Sequence, residues 1–173
     1  SIAKQYRGDV TEIAQYNDLD PAMRLAVGET LIVPDGEETP LPATAGSSPR
    51  PIRGSGPRYA GSYIRPIIGG VKTQGIHGYN GVDLAAGTGE PIHASAAGTV
   101  IVSKESGWNG GYGKYIVIQH GNNTQTLYAH NNDNIVARGQ TVTQGQTIGY
   151  LGSTGNSTGP HVHFEIRGAK NPF

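Results

Sequence analysis

Much of this chain consists of short apolar runs separated by glycine, a pattern that few folds can accommodate. Of the 173 residues, 27 are glycine, and from about Tyr59 onward the apolar runs are too short for ordinary helices. Such runs between turn residues are typical of β-strands. We predict strands within residues 98–102, 115–121, 125–130, 146–151 and 162–166, with a hairpin turn at Asn122-Asn123. The sequence therefore predicts a mainly β, antiparallel domain over residues 59–173.

The overall charge and the residue types exclude several classes of protein. The formal net charge is +0 and the sequence pI is about 7.0, which argues against nucleic acid as a partner. The chain has no cysteine, so it has neither a disulfide framework nor a thiolate metal site. No apolar run approaches the roughly 20 residues of a membrane span. We therefore expect neither a nucleic-acid partner nor a transmembrane segment.

Residues 1–34 have a different pattern, two stretches of helical spacing followed by a short strand. Asp9 with Glu12 three residues later is a capping-box arrangement for the second helix. The first four residues resemble the middle of a helix, so we expect the natural N-terminus to precede Ser1. Residues 35–58 hold five prolines among glycine and serine, which predicts a linker. The chain is thus predicted to have a small α+β module at 1–34, a linker and, from residue 59, the β domain.

His161 and His163 lie two residues apart in a stretch rich in strand-forming residues. On a strand, positions i and i+2 point to the same face, so both imidazoles project together. Neutral imidazole is the commonest protein ligand of zinc and the usual general base near pH 7. The pair is therefore suited to supply one ligand and one base, and the pattern alone leaves open which residue takes which role.

Three further candidates, His77, Asp83 and His130, lie at well-separated predicted strand ends. A catalytic zinc needs about three protein ligands and one open position for water, and a further base that is not a ligand. His77, Asp83 and one histidine of the pair meet this count of ligands. The other histidine of the pair and His130 then remain for proton transfer. By contrast, His93 and His120 are interpreted as strand-edge and turn residues, and Trp108 as either a groove wall or a hairpin tip.

Three motifs resemble the lysostaphin/LytM-type zinc endopeptidases of bacterial cell walls. They are Leu-Tyr-Ala-His ending at His130, Gly-Val-Asp-Leu-Ala-Ala around Asp83, and Ser-Thr-Gly-Asn-Ser-Thr-Gly-Pro-His-Val-His-Phe-Glu, which spans residues 153–165. The resemblance covers about residues 60–173 and implies a lysostaphin-like antiparallel β-sheet. It also implies one Zn²⁺ per domain, with the metal ligands His77, Asp83 and His163, and catalytic residues His130 and His161 on either side of the attacking water.

The spacing between His77 and Asp83 departs from the usual His-x-x-x-Asp of that family. Here six positions separate them, and Tyr79 stands at the expected place. A regular strand would keep both groups on one face but would add about 6–7 Å of reach. Gly78 and Gly81 would instead allow a compact turn or bulge that absorbs the two extra residues. We expect His77 rather than Tyr79 to be the ligand.

Residues 1–34 resemble a LysM domain, a βααβ unit that binds glycans containing N-acetylglucosamine. The similarity lies in Ser-Ile-Ala-Lys-Gln-Tyr, Ile-Ala-Gln-Tyr-Asn and Leu-Ala-Val-Gly-Glu-Thr-Leu-Ile-Val-Pro. The usual first strand and the Gly-Asp-Thr-Leu-type start are missing, so we expect a truncated module. The resemblance implies glycan strands as a partner, but the missing strand removes one wall of the groove that would bind them.

Together the motifs predict a secreted zinc metalloendopeptidase that hydrolyses peptide cross-links in bacterial peptidoglycan. Its partners would be peptide stems and cross-bridges, and its place the cell envelope or the extracellular space, in the periplasm or the cell wall. Two alternatives stay open from sequence alone: a non-catalytic regulator of other wall hydrolases on the same fold, and a LysM-type peptidoglycan-binding protein. The motifs do not distinguish cleavage of a glycine bridge from cleavage of a D-alanyl cross-link.

Overall fold

The computed structural model describes Val10, Ile13, Ala14, residues 62–78 and residues 80–173. The chain divides into two units, Ser1–Arg50 and Pro51–Phe173. In the first unit, Val10, Ile13 and Ala14 are helical, as the predicted second helix requires. The rest of the predicted LysM-like module and the linker lie outside the described residues. The division of the chain at residues 34 and 58 therefore stays a prediction.

Among the described residues of the second unit, the strands are paired antiparallel throughout, which confirms a mainly β fold. The strands are β1 (Val71–His77), β2 (Gly81–Ala85), β3 (Pro91–His93), β4 (Gly98–Lys104), β5 (Lys114–Gln119), β6 (Gln125–Asn134), β7 (Thr141–Val142), β8 (Thr147–Leu151) and β9 (His161–Arg167). A short 3₁₀ helix, Asn109–Gly111, follows β4. The sheet has the order β1-β2-β9-β6-β5-β4-β7, and β8 pairs with both β3 and β6. No helix in the described part of the chain is long and apolar enough to span a bilayer.

The five predicted strands are all present, as β4, β5, β6, β8 and β9, and the predicted turn joins β5 to β6. The structure adds β1, β2, β3 and β7, which the pattern of apolar runs does not predict. Two of these are only two and three residues long, and β1 is exposed along most of its length. Such strands carry little hydrophobic periodicity of their own, so only their partners in the sheet define them.

The prediction that His130 ends a strand is wrong, because β6 continues to Asn134. His130 instead has a positive φ of 64° inside the strand. The strand changes partner at this point, since Ala129 pairs with β9 whereas Asn131 pairs with β8. The unusual backbone of His130 therefore marks a bend between two ladders and not the end of an element.

The hydrophobic core lies on one face of the central strands. Val162 and Phe164 of β9 are fully buried in it, beside Val82 and Leu84 of β2. The alternate residues of the same strands point to the opposite face. His161, His163 and Asp83 belong to this second set. The core-facing residues hold the strands in place, and the polar residues project from the other side of the sheet.

The β1–β2 connection explains the stretched spacing between His77 and Asp83. His77 is the last residue of β1 and pairs with Gly81, the first residue of β2. The turn between them has positive φ at Gly78 and at Asn80, 50° and 62°. The two site residues therefore lie on adjacent strands joined by a compact turn. The six positions that separate them therefore do not correspond to a distance along one strand.

Candidate metal centre

Three side chains from three adjacent strands meet on the polar face of the sheet. Asp83 of β2 lies directly opposite His163 of β9 in the antiparallel ladder. Asp83 Oδ1 is 2.8 Å from His163 Nδ1 and 3.3 Å from His77 Nε2, and the two nitrogens are 3.2 Å apart. These three residues are a group that could hold a metal ion. The structure thus brings the three predicted ligands together.

The second ring nitrogen of each of these histidines has a partner that orients the imidazole. His77 Nδ1 lies 2.7 Å from the carbonyl oxygen of Gly75, to which it donates. His163 Nε2 lies 3.0 Å from Oε1 of Glu165, and it donates to that carboxylate. Each ring therefore uses one nitrogen as a donor and directs the other at Asp83. The nitrogen that faces Asp83 is Nε2 in His77 and Nδ1 in His163.

Negative charge dominates the electrostatics around His163. Burial alone lowers the pKa of this imidazole, but hydrogen bonds to Asp83 and Glu165 outweigh it and raise the pKa to about 9. Burial raises the pKa of the Asp83 carboxyl, whereas the hydrogen bond from His163 and the nearby imidazoles bring that pKa below its ordinary value. The negative charge that favours a proton on His163 also favours a divalent cation, which would compete with that proton for the same nitrogen.

His130 and His161 flank this group, with ring centroids 4.7 Å apart. Nδ1 of His130 donates to the carbonyl of Thr154, and Nδ1 of His161 donates to that of Gly159, each at 2.8 Å. In both rings Nδ1 is therefore the nitrogen that faces the loop, and His161 Nε2 is 3.8 Å from Asp83 Oδ2. Burial lowers the pKa of His130 to about 4, so this imidazole is neutral near pH 7.

One loop, residues 152–160 between β8 and β9, provides both of those carbonyl groups. Thr154 fastens the loop, because its Oγ1 donates to the carbonyl of Asn131 and accepts from the amide of Lys114, both at 2.9 Å. Gly155 packs so closely that an added Cβ would lie 2.3 Å from the carbonyl oxygen of Gly111. The position of the two flanking histidines therefore depends on this docked loop.

Gly81 is required for the position of the His163 ring. A Cβ on Gly81 would lie 2.5 Å from Cε1 and 2.8 Å from Nε2 of His163, distances that real carbon atoms do not adopt. The imidazole therefore occupies the space that any other residue at position 81 would fill.

Sequence reasoning overlooked Glu165, which lies behind His163, and the residues Tyr112 and Arg167 that contact Glu165. Tyr112 donates its hydroxyl to Oε1 of Glu165 at 2.7 Å, and Arg167 donates to Oε2 at 2.7 Å. Burial raises the pKa of Glu165, but Arg167 and the donated hydrogen bonds lower it to about 2. A signal was available, because Glu165 and Arg167 continue the i, i+2 series of the histidine pair on β9.

The other histidines named from sequence lie outside this group. His120 is 5% exposed, with Nδ1 2.9 Å from the carbonyl of Ala97 and Nε2 2.9 Å from Thr126 Oγ1. His93 has Nδ1 3.1 Å from the carbonyl of Gly145. Both are thus hydrogen-bonded residues away from the cluster. Trp108 is 62% exposed, which leaves its two interpretations open.

The chain matches two sequence families. Residues 77–173 match peptidase family M23, and residues 1–34 match the LysM domain. The first match covers more than half of the 173 residues and includes every residue of the cluster described above.

Three known proteins illustrate the similarity. Peptidoglycan DD-endopeptidase ShyA of Vibrio cholerae is 40% identical over 94 residues, which are 54% of this chain and 21% of ShyA. The uncharacterized lipoprotein YgeR of Escherichia coli is 30% identical over 181 residues, covering 96% of this chain and 71% of YgeR. The solved structure of the antimicrobial peptidase lysostaphin from Staphylococcus simulans aligns with a TM-score of 0.51 and 28% identity, over 66% of this chain and 46% of lysostaphin.

The chain spans only about a fifth of ShyA, so that relative's whole activity does not transfer with the match. What does transfer is the fold and the family. Three findings agree. This chain forms an antiparallel sheet, its residues 77–173 match the family, and it is similar to YgeR along nearly its whole length. On these grounds the chain belongs to peptidase family M23.

Proposed function

We propose that this chain is a zinc-dependent endopeptidase that hydrolyses peptide cross-links of bacterial peptidoglycan. In this proposal His77, Asp83 and His163 hold the metal, and His130 and His161 handle the proton transfers. Residues 1–34 form a LysM-like module that contacts glycan strands, residues 35–58 are a linker, and residues 59–173 carry the chemistry. The protein acts in the cell envelope or outside the cell.

The observation that carries the proposal is the spacing of the three candidate ligand atoms. They are separated by 2.8, 3.2 and 3.3 Å. Ligands on a tetrahedral zinc with bonds of about 2.0–2.1 Å lie roughly 3.3 Å apart. Two imidazole nitrogens and one carboxylate oxygen are also donors that zinc accepts in catalytic sites. The donor set and its spacing therefore fit this metal.

The flanking imidazoles fit the remaining needs of peptide hydrolysis. A bound zinc ion supplies Lewis acidity, which makes water more acidic and polarises a carbonyl group. His130 is neutral near pH 7 because burial lowers its pKa to about 4, and its bare Nε2 can accept a proton from the attacking water. His161 directs a second Nε2 towards the same region, 3.8 Å from Asp83 Oδ2. The imidazole that becomes protonated then stabilises the oxyanion or returns the proton to the leaving amine.

The choice of substrate rests on the relatives and on the N-terminal match. ShyA is a peptidoglycan DD-endopeptidase by name, and residues 1–34 match a LysM domain. The name of YgeR, a lipoprotein, supports a place in the cell envelope. These similarities favour cross-linked peptidoglycan over a soluble protein substrate.

The test is digestion of purified peptidoglycan by the zinc-loaded chain, followed by mass spectrometry of the released muropeptides. We expect new amino termini at cross-links, loss of cleavage on chelation and recovery when zinc is added back. The terminus that appears also identifies the bond, whether a glycine bridge or a D-alanyl cross-link. His93→Ala, which alters a histidine outside the cluster, is the matched control and keeps both zinc and cleavage. A chain that holds stoichiometric zinc but releases nothing would instead be a non-catalytic regulator.

A further inference from the structure

Glu165 is a carboxylate with no exposed surface, located directly behind His163. Its Oε1 accepts from Tyr112 at 2.7 Å and from His163 Nε2 at 3.0 Å. Its Oε2 accepts from Arg167 Nε and Nη2, each at 2.7 Å. All four contacts use Glu165 as an acceptor, as an ionised carboxylate requires.

A buried charge of this kind is costly unless every lone pair has a partner. Glu165 meets that condition, but its position also excludes a direct part in hydrolysis. Both of its oxygens are occupied and none of its surface is accessible, so neither water nor substrate can reach it. Its effect on the reaction must therefore pass through one of its partners, and the partner in the candidate metal centre is His163.

We propose that Glu165 is a positioning residue that keeps the proton of His163 on Nε2 and thereby presents Nδ1 to the metal. The inference rests on the proposed metal site. Which nitrogen of a ligating imidazole faces the metal is set by the hydrogen bond that the other nitrogen makes. Here the acceptor at Nε2 is a charged oxygen that is itself held by Arg167 and Tyr112.

An amide at position 165 cannot replace the carboxylate. If the oxygen of a glutamine faces Arg167, its NH₂ group faces His163 Nε2 and favours the proton on Nδ1, the nitrogen that the metal needs. If the oxygen faces His163 instead, the NH₂ group meets the N–H donors of Arg167. Either orientation leaves one donor facing another, so the isosteric substitution should weaken the metal site without changing its shape.

Tyr112 extends this arrangement to the flanking histidines. Its hydroxyl donates to Glu165, and its backbone carbonyl accepts the amide of His130 at 2.9 Å. Tyr112 therefore contacts Glu165, which orients the proposed ligand His163, and also the backbone of His130, the candidate base. We expect its hydroxyl to influence metal binding through Glu165, because the carbonyl contact does not involve the side chain.

The experiment measures zinc affinity of the full chain by competition with a chromophoric chelator, so it does not depend on cleavage. We expect Glu165→Gln to weaken zinc binding by roughly 10–100-fold, the usual effect of losing such an outer partner. Glu90→Gln removes the same charge from an exposed position and should leave the affinity unchanged. The ¹⁵N spectrum of the zinc-loaded protein should show His163 protonated at Nε2 and bound through Nδ1.

Tyr112→Phe is the second variant, in case Glu165→Gln does not fold. It removes one hydrogen bond to Oε1 and no charge, and we expect zinc binding about fivefold weaker with an unchanged ligand nitrogen. If the parent chain binds zinc and the folded variants bind it equally well, the role of Glu165 is refuted while the proposed function stands. If the parent chain binds no zinc, both fail.

Discussion

The strand-built half of the site, Asp83 and His163, is held differently from the loop-held half, His130 and His161. In the first half the side chains hold each other across the β2–β9 ladder, with Nδ1 to Oδ1 at 2.8 Å and a buried carboxylate behind. In the second half both imidazoles donate to backbone carbonyls of the 152–160 loop.

Metal binding and proton transfer therefore depend on different parts of the fold. Strand register and buried charge set the ligands, because Asp83 and His163 face each other in the ladder. The docked loop sets the flanking imidazoles, which keep no negative partner at Nδ1. Changes in the loop-held half should therefore leave zinc binding intact, whereas loss of the metal ligands should abolish cleavage as well.

The largest effect is expected for Asp83→Ala. This carboxylate contacts three imidazoles, those of His163, His77 and His161. Without it, Nδ1 of His163 and Nε2 of His77 lose their shared partner, so we expect no stoichiometric zinc and no detectable cleavage. Metal analysis of the purified variant and a peptidoglycan digest measure this. Asp133→Ala, at an exposed carboxylate, is the control, and stoichiometric zinc in Asp83→Ala would contradict the assignment.

His161→Ala should affect only the loop-held half. We expect cleavage to fall by roughly 10²–10⁴-fold, the usual contribution of a positioned acid or base, while zinc content stays that of the parent. The same digest and metal analysis apply. If His161→Ala instead lost as much zinc as Asp83→Ala does, His161 would be a metal ligand, and the roles assigned to His161 and His163 would be reversed.

Gly81→Ala should disturb the strand-built half by crowding. The new methyl group would meet the ring of His163 at 2.5 Å, so the imidazole must move away from Asp83. We expect weaker zinc binding and a loss of about 1–3 kcal/mol in the free energy of unfolding. Chelator competition and denaturant unfolding measure these. Gly121→Ala, where an added Cβ meets nothing within 4 Å, should change neither, and an unaltered zinc affinity in Gly81→Ala would refute the crowding argument.

The smallest effect concerns His120, which is also held by a backbone carbonyl but lies outside the site. Burial lowers its pKa from 6.5, so the unfolded chain binds its proton more readily than the folded chain does. Stability from neutral His120 is therefore present above about pH 6.5 and is lost as the pH falls below it. The parent chain should exceed His120→Gln in unfolding free energy most at pH 8 and less at pH 5.5.

Denaturant unfolding of both proteins across that range, under equal zinc conditions, gives the difference. A difference that is constant with pH would show that the imidazole does not resist protonation. Cleavage at pH 8 should be alike in the two proteins, because a carbonyl partner alone does not place a histidine in the site.

Much of this arrangement is readable along the chain. The strand pattern predicts β9, and alternation along it places His161 and His163 on one face with Phe164 in the core between them. The five predicted site residues do converge. The zinc and proton-transfer roles of these residues remain predictions, because proximity alone does not identify a ligand or a base.

Other features depend on which strands become neighbours. The spacing of His77 and Asp83 is compatible with either an extended strand or a compact turn between them. The pairing of β1 with β2 shows that the turn is formed. The bend at His130 arises where β6 changes from β9 to β8, a change that no local pattern encodes. Glu165 stands in a recognised motif, yet its partner Tyr112 is 53 residues away in sequence.

By itself, the sequence determined which residues share a strand face and which stretches alternate with the core, because side-chain periodicity is a property of the local backbone. The orientation of each imidazole, in contrast, was set by the folded backbone. The partners of His77, His161 and His163 lie only two residues away, at Gly75, Gly159 and Glu165. The partner of His130 is the carbonyl of Thr154, 24 residues away in the docked loop. Hydrogen bonds across the sheet thus turn five separate side chains into one candidate metal centre.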